Sequence, residues 1–152
     1  MALVQWNTLR IMRQAGCHQI SVGIESGSET ILVVDDETAI LDLAEALLGR
    51  FGYQVLRAKN GEQALAVMDD GAIPVDLVIL DLNMPGMGGQ SCLEALAGRH
   101  PGVPVLVASG YSPNGSVRET LSTGAAGFIG KPYQLKEMLR IVRDIIDRRS
   151  SP

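Results

Sequence analysis

The chain has 152 residues, 46% of them hydrophobic and 20% charged, enough to bury one α/β core and too few to argue for two ordinary domains. A net charge of −4 and a pI near 5.1 give no electrostatic reason to expect nucleic acid as a direct partner, since polyanion binding needs a basic surface. No apolar run reaches the roughly 20 residues needed to cross a bilayer, and no leader opens the chain, so a cytoplasmic location away from membranes is expected. The two cysteines, Cys17 and Cys92, are too few for a disulfide framework. With His18 and His100 they would meet in a zinc site only by coincidence of folding, so buried or half-buried thiols are expected. A cluster of Arg140, Arg143, Arg148 and Arg149 suits a solvated last helix, whose C-terminal end favours cations.

In chain order, Val4, Thr8, Ile11, Met12 and Ala15 predict a helix with Gly16 just past its end. Ile20, Val22 and Ile24 alternate as in a strand, and a turn follows over 25–28. From residue 31 onward, strands alternate with helices. The strand candidates are Ile31–Asp35, Tyr53–Ala58, Leu77–Leu82, Val103–Ser109 and Gly127–Gly130. Four of them are short, nearly continuous runs rich in Val, Ile and Leu, the pattern of strands buried on both faces of a parallel sheet.

Ile40, Leu43, Ala44, Leu47 and Leu48 mark the first intervening helix, and Ala64, Leu65, Val67 and Met68 the second. Cys92, Leu93 and Leu96 mark the third, a polar segment over Ser116–Leu121 the fourth, and Leu135, Met138, Leu139, Val142, Ile145 and Ile146 the last. Gly61, Gly71, Gly98 and Gly124 fall where turns or helix caps are wanted. Right-handed crossovers turn such a (βα)5 chain into a doubly wound α/β sheet. In the flavodoxin-like order 2-1-3-4-5, its crevice opens at the C-terminal ends of the first and third strands.

The residues at those ends carry chemistry. Strand one runs into Asp35-Asp36-Glu37, strand three into Asp81-Leu82-Asn83, strand four into Ser109-Gly110 and strand five into Lys131-Pro132. Asp35, Asp36 and Asp81 are hard oxygen donors suited to Mg²⁺. Asp81 is a candidate nucleophile, since aspartyl phosphates are accepted covalent intermediates. Lys131 can set a point charge on a phosphoryl oxygen, and Ser109 can donate a hydrogen bond to another. Each piece has a plainer reading: Asp36 as a helix N-cap, Asp81 as a turn residue, Ser109 in a loop, Phe128 in the core, Lys131 in solvent. Their joint occurrence at successive strand ends favours the site.

ILVVDDE, LDLNMPGMGG, VLVASG and FIGKPY together resemble the receiver domains of two-component response regulators, over about four-fifths of the chain. The resemblance implies a signalling switch rather than a metabolic enzyme, with Asp81 as phosphoacceptor and Asp35 and Asp36 as the acidic metal pair. It further implies a metal contact from the Asn83 backbone carbonyl, Ser109 and Lys131 as phosphoryl contacts, Phe128 as the switch aromatic, and a cis Lys131-Pro132 bond. Gly88 departs from the pattern, an acidic residue being common there; looser loop behaviour is the expected result. The implied partner is a histidine kinase or phosphotransfer protein. VASGYS and KPY look more like terminal receivers of hybrid kinases than like transcription regulators. With nothing of an output domain after residue 149, a stand-alone or excised receiver is expected.

LRIMRQAGCHQISVGIESGSETIL resembles a helix–strand unit of the radical S-adenosylmethionine barrel, although the cysteines needed for its iron–sulfur cluster are lacking. The expected division is an extension over 1–28, a receiver over 29–149 and a tail over 150–152. The extension's strand would join the sheet edge or pair with another chain. Homodimerisation is open through the extension or through the face of the fourth helix, fifth strand and fifth helix. The alternative function is a recombined or engineered chimera with a vestigial site. A flavin mononucleotide binder is disfavoured because Asp35 and Asp36 would repel its phosphate.

Overall fold

The computed structural model describes residues 29–84, 88–110, 124–131 and 134–150. The helix and strand expected within 1–28, the helix expected at 116–121 and the Lys131-Pro132 bond lie outside them. In chain order the elements are β1 (Thr30–Val34), α1 (Thr38–Arg50), β2 (Gln54–Ala58), α2 (Gly61–Asp70), β3 (Leu77–Asp81), α3 (Gly89–Arg99), β4 (Val105–Ser109), β5 (Gly127–Gly130) and α4 (Leu135–Ser150). The strands form one five-stranded sheet, ordered β2-β1-β3-β4-β5, and every pairing is parallel. That is the doubly wound, flavodoxin-like sheet expected from the alternation of short apolar runs with helices.

Alternation within each strand explains why both faces are covered. Leu32 and Val34 of β1, Val78 and Leu80 of β3, and Val105 and Val107 of β4 face one way. They pack with Ala64, Leu65 and Met68 of α2 and with Cys92, Leu93 and Leu96 of α3. Ile31 and Val33, Leu77 and Ile79, and Leu106 and Ala108 face the other way. These meet Leu41, Ala44 and Leu48 of α1 and Met138, Val142, Ile145 and Ile146 of α4. Two cores back to back on one sheet need strands apolar at every position, which is how these strands read.

Differences from expectation have local causes. β4 begins at Val105, because Pro104 has no N–H to give and Val103 N turns back to His100 O at 3.1 Å. On α1 the buried stripe is Leu41, Ala44 and Leu48, and Leu43 is 45% exposed. The expected stripe was thus rotated from the face the sheet selects. Gly98 lies inside α3 rather than at a cap. Asn60 caps α2 by accepting from Gln63 N at 2.8 Å, while Gln63 Oε1 accepts from Lys59 N at 2.8 Å. The last helix is more than solvated. Arg143 pairs with Asp147 and with Glu29 and lies 5.9 Å over the Tyr53 ring, which ties α4 to the chain just before β1.

Two adjacent glycines set the start of α3. Gly88 has φ +78, a conformation L side chains rarely adopt, so glycine fits this position for a backbone reason. A Cβ on Gly89 would overlap the Leu82 backbone and the Asp81 carbonyl; α3 therefore starts hard against the end of β3. Replacing Gly89 by Ala should cost about 1–3 kcal/mol of stability in denaturant titration. Gly98→Ala, with open space around it, should instead add about 0.5–1 kcal/mol. Equal midpoints for the two variants would contradict the close approach at Gly89.

Candidate phosphoacceptor site

Because β1 and β3 are neighbours, the residues at their C-terminal ends are brought side by side. Asp81 is the last residue of β3. Asp35 directly follows β1 and is held by a bond from its own N–H to Ala58 O at 3.1 Å. Asp35, Asp36 and Asp81 each offer an oxygen within 4.8 Å of the others. Asp35 and Asp81 are buried and Asp36 is exposed, so the cluster has a buried floor and an open lip.

The buried carboxylates are well supplied with donors. Asp35 Oδ1 accepts from Glu37 N at 2.9 Å, and Oδ2 accepts from Lys131 Nζ at 2.6 Å. Asp81 Oδ1 accepts from Asn83 N at 3.0 Å, and its Oδ2 lies 3.3 Å from Lys131 Nζ. The plainer reading of Asp81 as a turn residue is thus also true: one oxygen closes the turn to Asn83, the other faces the ammonium. Asp36 does not cap α1, as the plainer reading had it. The cap residue is Glu37, with no side-chain cap bond, and Asp35 takes the Glu37 N–H instead.

Lys131 reaches this cluster from β5. Its N–H bonds to Ser109 O at 3.0 Å, extending the β4–β5 ladder by one rung. Its side chain is mostly buried, against the reading of a solvated surface lysine. Ser109 ends β4, is buried, and receives a long contact of 3.4 Å from Asn83 Nδ2. Phe128, beside Val107 in register, is half-buried against the core on the α2 and α3 face.

Burial pushes the Asp81 carboxyl above its ordinary range, and the nearby Asp35 charge adds to the shift. The Asn83 N–H and Lys131 oppose it without cancelling it. Burial alone would lower Lys131, but its hydrogen bond and charge pairing with Asp35, then Asp81, carry it above the usual lysine value. The ammonium is therefore firmly protonated at neutral pH. Among the described residues, two buried carboxylates and one exposed one face a single ammonium, which leaves the pocket short of positive charge.

Other paired groups lie away from this cluster and had no sequence signal. Arg57 on β2 is buried and pairs with Asp42 at 2.8 Å and Glu45 at 2.9 Å on α1. Asp69 on α2 meets Arg99 and His100 at the end of α3 at 2.7 and 2.8 Å. His100 thus has a carboxylate partner and Cys92 is a buried thiol, its pKa pushed up to about 11 by burial. Cys17 and His18 lie outside the described residues. Among the described residues, no helix is long and apolar enough to cross a membrane.

A family model described as the response regulator receiver domain matches residues 31–143. Sensor kinase CckA of Brucella abortus (strain 2308) is 33% identical over 124 residues, covering 82% of this chain and 13% of that protein. The uncharacterized transcriptional regulatory protein YrkP of Bacillus subtilis (strain 168) is 39% identical over 108 residues, covering 71% of this chain and 45% of that protein. The chain thus spans less than half the length of either relative. A crystal structure of a CheY-like response regulator receiver domain protein from Methanospirillum hungatei JF-1 superposes with a TM-score of 0.76 at 29% identity. It covers 82% of this chain and 98% of that one. With a transcriptional regulatory protein among the relatives, the expected exclusion of nucleic acid gains no support. The family match begins at Ile31, and neither it nor the described structure supports the barrel-fragment or chimera reading of 1–28. On matched residues, sheet order and superposition alike, the chain belongs to the response regulator receiver domain family.

Proposed function

We propose that this receiver is a cytoplasmic phosphorylation switch in which Asp81 accepts a phosphoryl group from a histidine kinase or phosphotransfer protein. The observation that carries this reading is the meeting of three carboxylates within 4.8 Å beside a lysine that touches two of them. The donor set fits Mg²⁺: the clustered side chains are all carboxylates, and among the described residues no thiolate or imidazole joins them to select a softer metal. Asp35, Asp36 and Asp81 would hold it, with the Asn83 carbonyl as a further donor. Bound there, it would supply the positive charge the pocket lacks and neutralise the incoming phosphoryl oxygens.

The rest is done by the chain. An Asp81 carboxylate oxygen forms the new O–P bond as the P–N bond of a phosphohistidine breaks, and the released imidazole takes up a proton. Lys131, already 3.3 Å from Asp81, holds its charge against a phosphoryl oxygen, and the Ser109 hydroxyl donates to another. Moving Ser109 toward the phosphoryl group draws on β4 beside β5, which gives Phe128 room to turn inward and changes the surface a partner meets. The domain division proposed with it is 29–149 as receiver, 1–28 as an extension and 150–152 as a tail. The meeting of Asp35, Asp36 and Asp81 beside Lys131 argues against a vestigial site. Its own phosphotransfer and dephosphorylation are the only chemistry assigned.

Acetyl phosphate with Mg²⁺ should add one phosphoryl mass to the intact protein, and Asp81→Asn or EDTA should abolish the gain. Retention of that mass in Asp81→Asn would move the site. Lys131→Ala should slow the reaction about 10²-fold, the scale for losing one charge-stabilising contact; an unchanged rate would remove Lys131 from the chemistry.

Asp81 titrates higher in the folded chain than unfolded. Its contribution therefore favours folding below the ordinary carboxylate range and is lost as pH rises through the raised value. At pH 7 in EDTA, Asp81→Asn should raise Tm by about 2–4 °C for each kcal/mol of relieved repulsion, with the gain vanishing in acid. A lower Tm for the variant at pH 7 would contradict it.

A further inference from the structure

Asp35 sits in a ring of contacts that closes on itself, and Arg57 is one of its links. The Asp35 N–H donates to Ala58 O at 3.1 Å, at the end of β2. One residue back, Arg57 Nη1 donates to Asp42 at 2.8 Å and to Glu45 at 2.9 Å, both on α1. The cap residue of α1, Glu37, donates its N–H to Asp35 Oδ1 at 2.9 Å, and its carbonyl accepts from Ile40 N and Leu41 N. The Asp35 main chain is thus held by β2 and its carboxylate by the start of α1. The guanidinium joins these two supports to each other. By alternation, Val55 and Arg57 are the β2 side chains directed toward α1. Val55 packs in the core, and Arg57 stands nearer the carboxylates.

Stability alone does not account for a cation here. Arg57 is 6% exposed, and its buried Nε has no hydrogen-bond partner among the described residues. A buried guanidinium with an unpaired N–H costs stability that an apolar side chain would keep. Asp42 is largely exposed and could be satisfied by water. What the ion pairs add is direction: apolar contact is non-directional, whereas one nitrogen between two carboxylates fixes a distance. The start of α1 has use for such a tie, because Glu37 makes no side-chain cap bond.

We propose that Arg57 is a positioning residue for Asp35, its bridge to Asp42 and Glu45 locking the end of β2 to α1 and so setting where the Asp35 carboxylate stands beside Asp81. The proposal rests on the reading of the acidic pocket as a Mg²⁺ site and adds to it a residue outside the pocket that tunes the metal's affinity.

Arg57→Met and Arg57→Lys test it in the full chain. Methionine keeps most of the buried stem without the charge. Lysine puts a methylene where the unpaired Nε stands and an ammonium close to the place of Nη1. Because a single nitrogen meets both acids, a point charge can serve there. In calorimetric titration Arg57→Met should bind Mg²⁺ roughly tenfold more weakly than the parent, and Arg57→Lys within about twofold of it, the scale for groups that orient a metal ligand from behind. In metal-free protein, the Asp35 and Glu37 amides should exchange at least about tenfold faster in Arg57→Met while β3 and β4 stay unchanged. Arg57→Lys should exchange like the parent.

Parent-like affinity or parent-like exchange in Arg57→Met overturns the proposal, as do equal losses in Arg57→Lys. A parent chain that binds no Mg²⁺ contradicts the metal reading instead, and the metal-free exchange then decides the positioning role. Should Arg57→Met lose protection throughout the sheet, Arg57→Met/Glu45→Leu carries the same expected and contrary outcomes, since replacing a buried ion pair by apolar groups often preserves stability.

Discussion

The ammonium of Lys131, 2.6 Å from Asp35 and 3.3 Å from Asp81, is the contact around which this end of the molecule is organised. Two carboxylates buried side by side repel one another strongly where water cannot screen them. Backbone N–H groups from Glu37 and Asn83 and this one lysine make the arrangement tolerable. The sheet order makes it reachable. Asp35 and Asp81 are brought together by the β1–β3 pairing, and Lys131 spans the remaining distance from β5 on its four-carbon stem. An arginine would not substitute readily, since its planar fork does not act as a compact point charge between two acids.

The same arrangement explains why the pocket is chemically unfinished. One lysine against two buried acids and the exposed Asp36 leaves an excess of negative charge. Burial raises the Asp81 carboxyl, and the neighbouring Asp35 charge adds to the rise. A divalent cation would discharge the excess, and a phosphoryl group on Asp81 would exchange one acceptor of the Lys131 charge for another. The parts needed for a switch are thus the parts that make the unmodified pocket electrostatically strained.

Much of this is legible in the sequence because the topology converts order along the chain into position at one edge. Five apolar runs alternating with helices imply the sheet, and residues following those runs imply the pocket. Asp35, Asp81, Ser109 and Lys131 could be located that way without knowing any distance. Periodicity was weaker at fixing which face of α1 is buried. Ile40, Leu43 and Leu47 are as apolar as Leu41 and Leu48, and only packing against the sheet separates the two stripes. The role of Asp35 in holding Glu37 N, rather than Asp36 in capping α1, is equally invisible in a run of three acidic residues. Arg57 had no signal at all: nothing in the sequence shows that this lone arginine on the edge strand β2 is buried and paired with Asp42 and Glu45.

Calorimetric titration of the full chain with Mg²⁺ at neutral pH addresses the charge imbalance most directly. A single binding site is expected, weakening as acid protonates Asp81 and lost when Asp35 and Asp81 are together replaced by Asn. Binding of undiminished affinity in that double variant, or no binding by the parent chain at millimolar metal, would contradict the account.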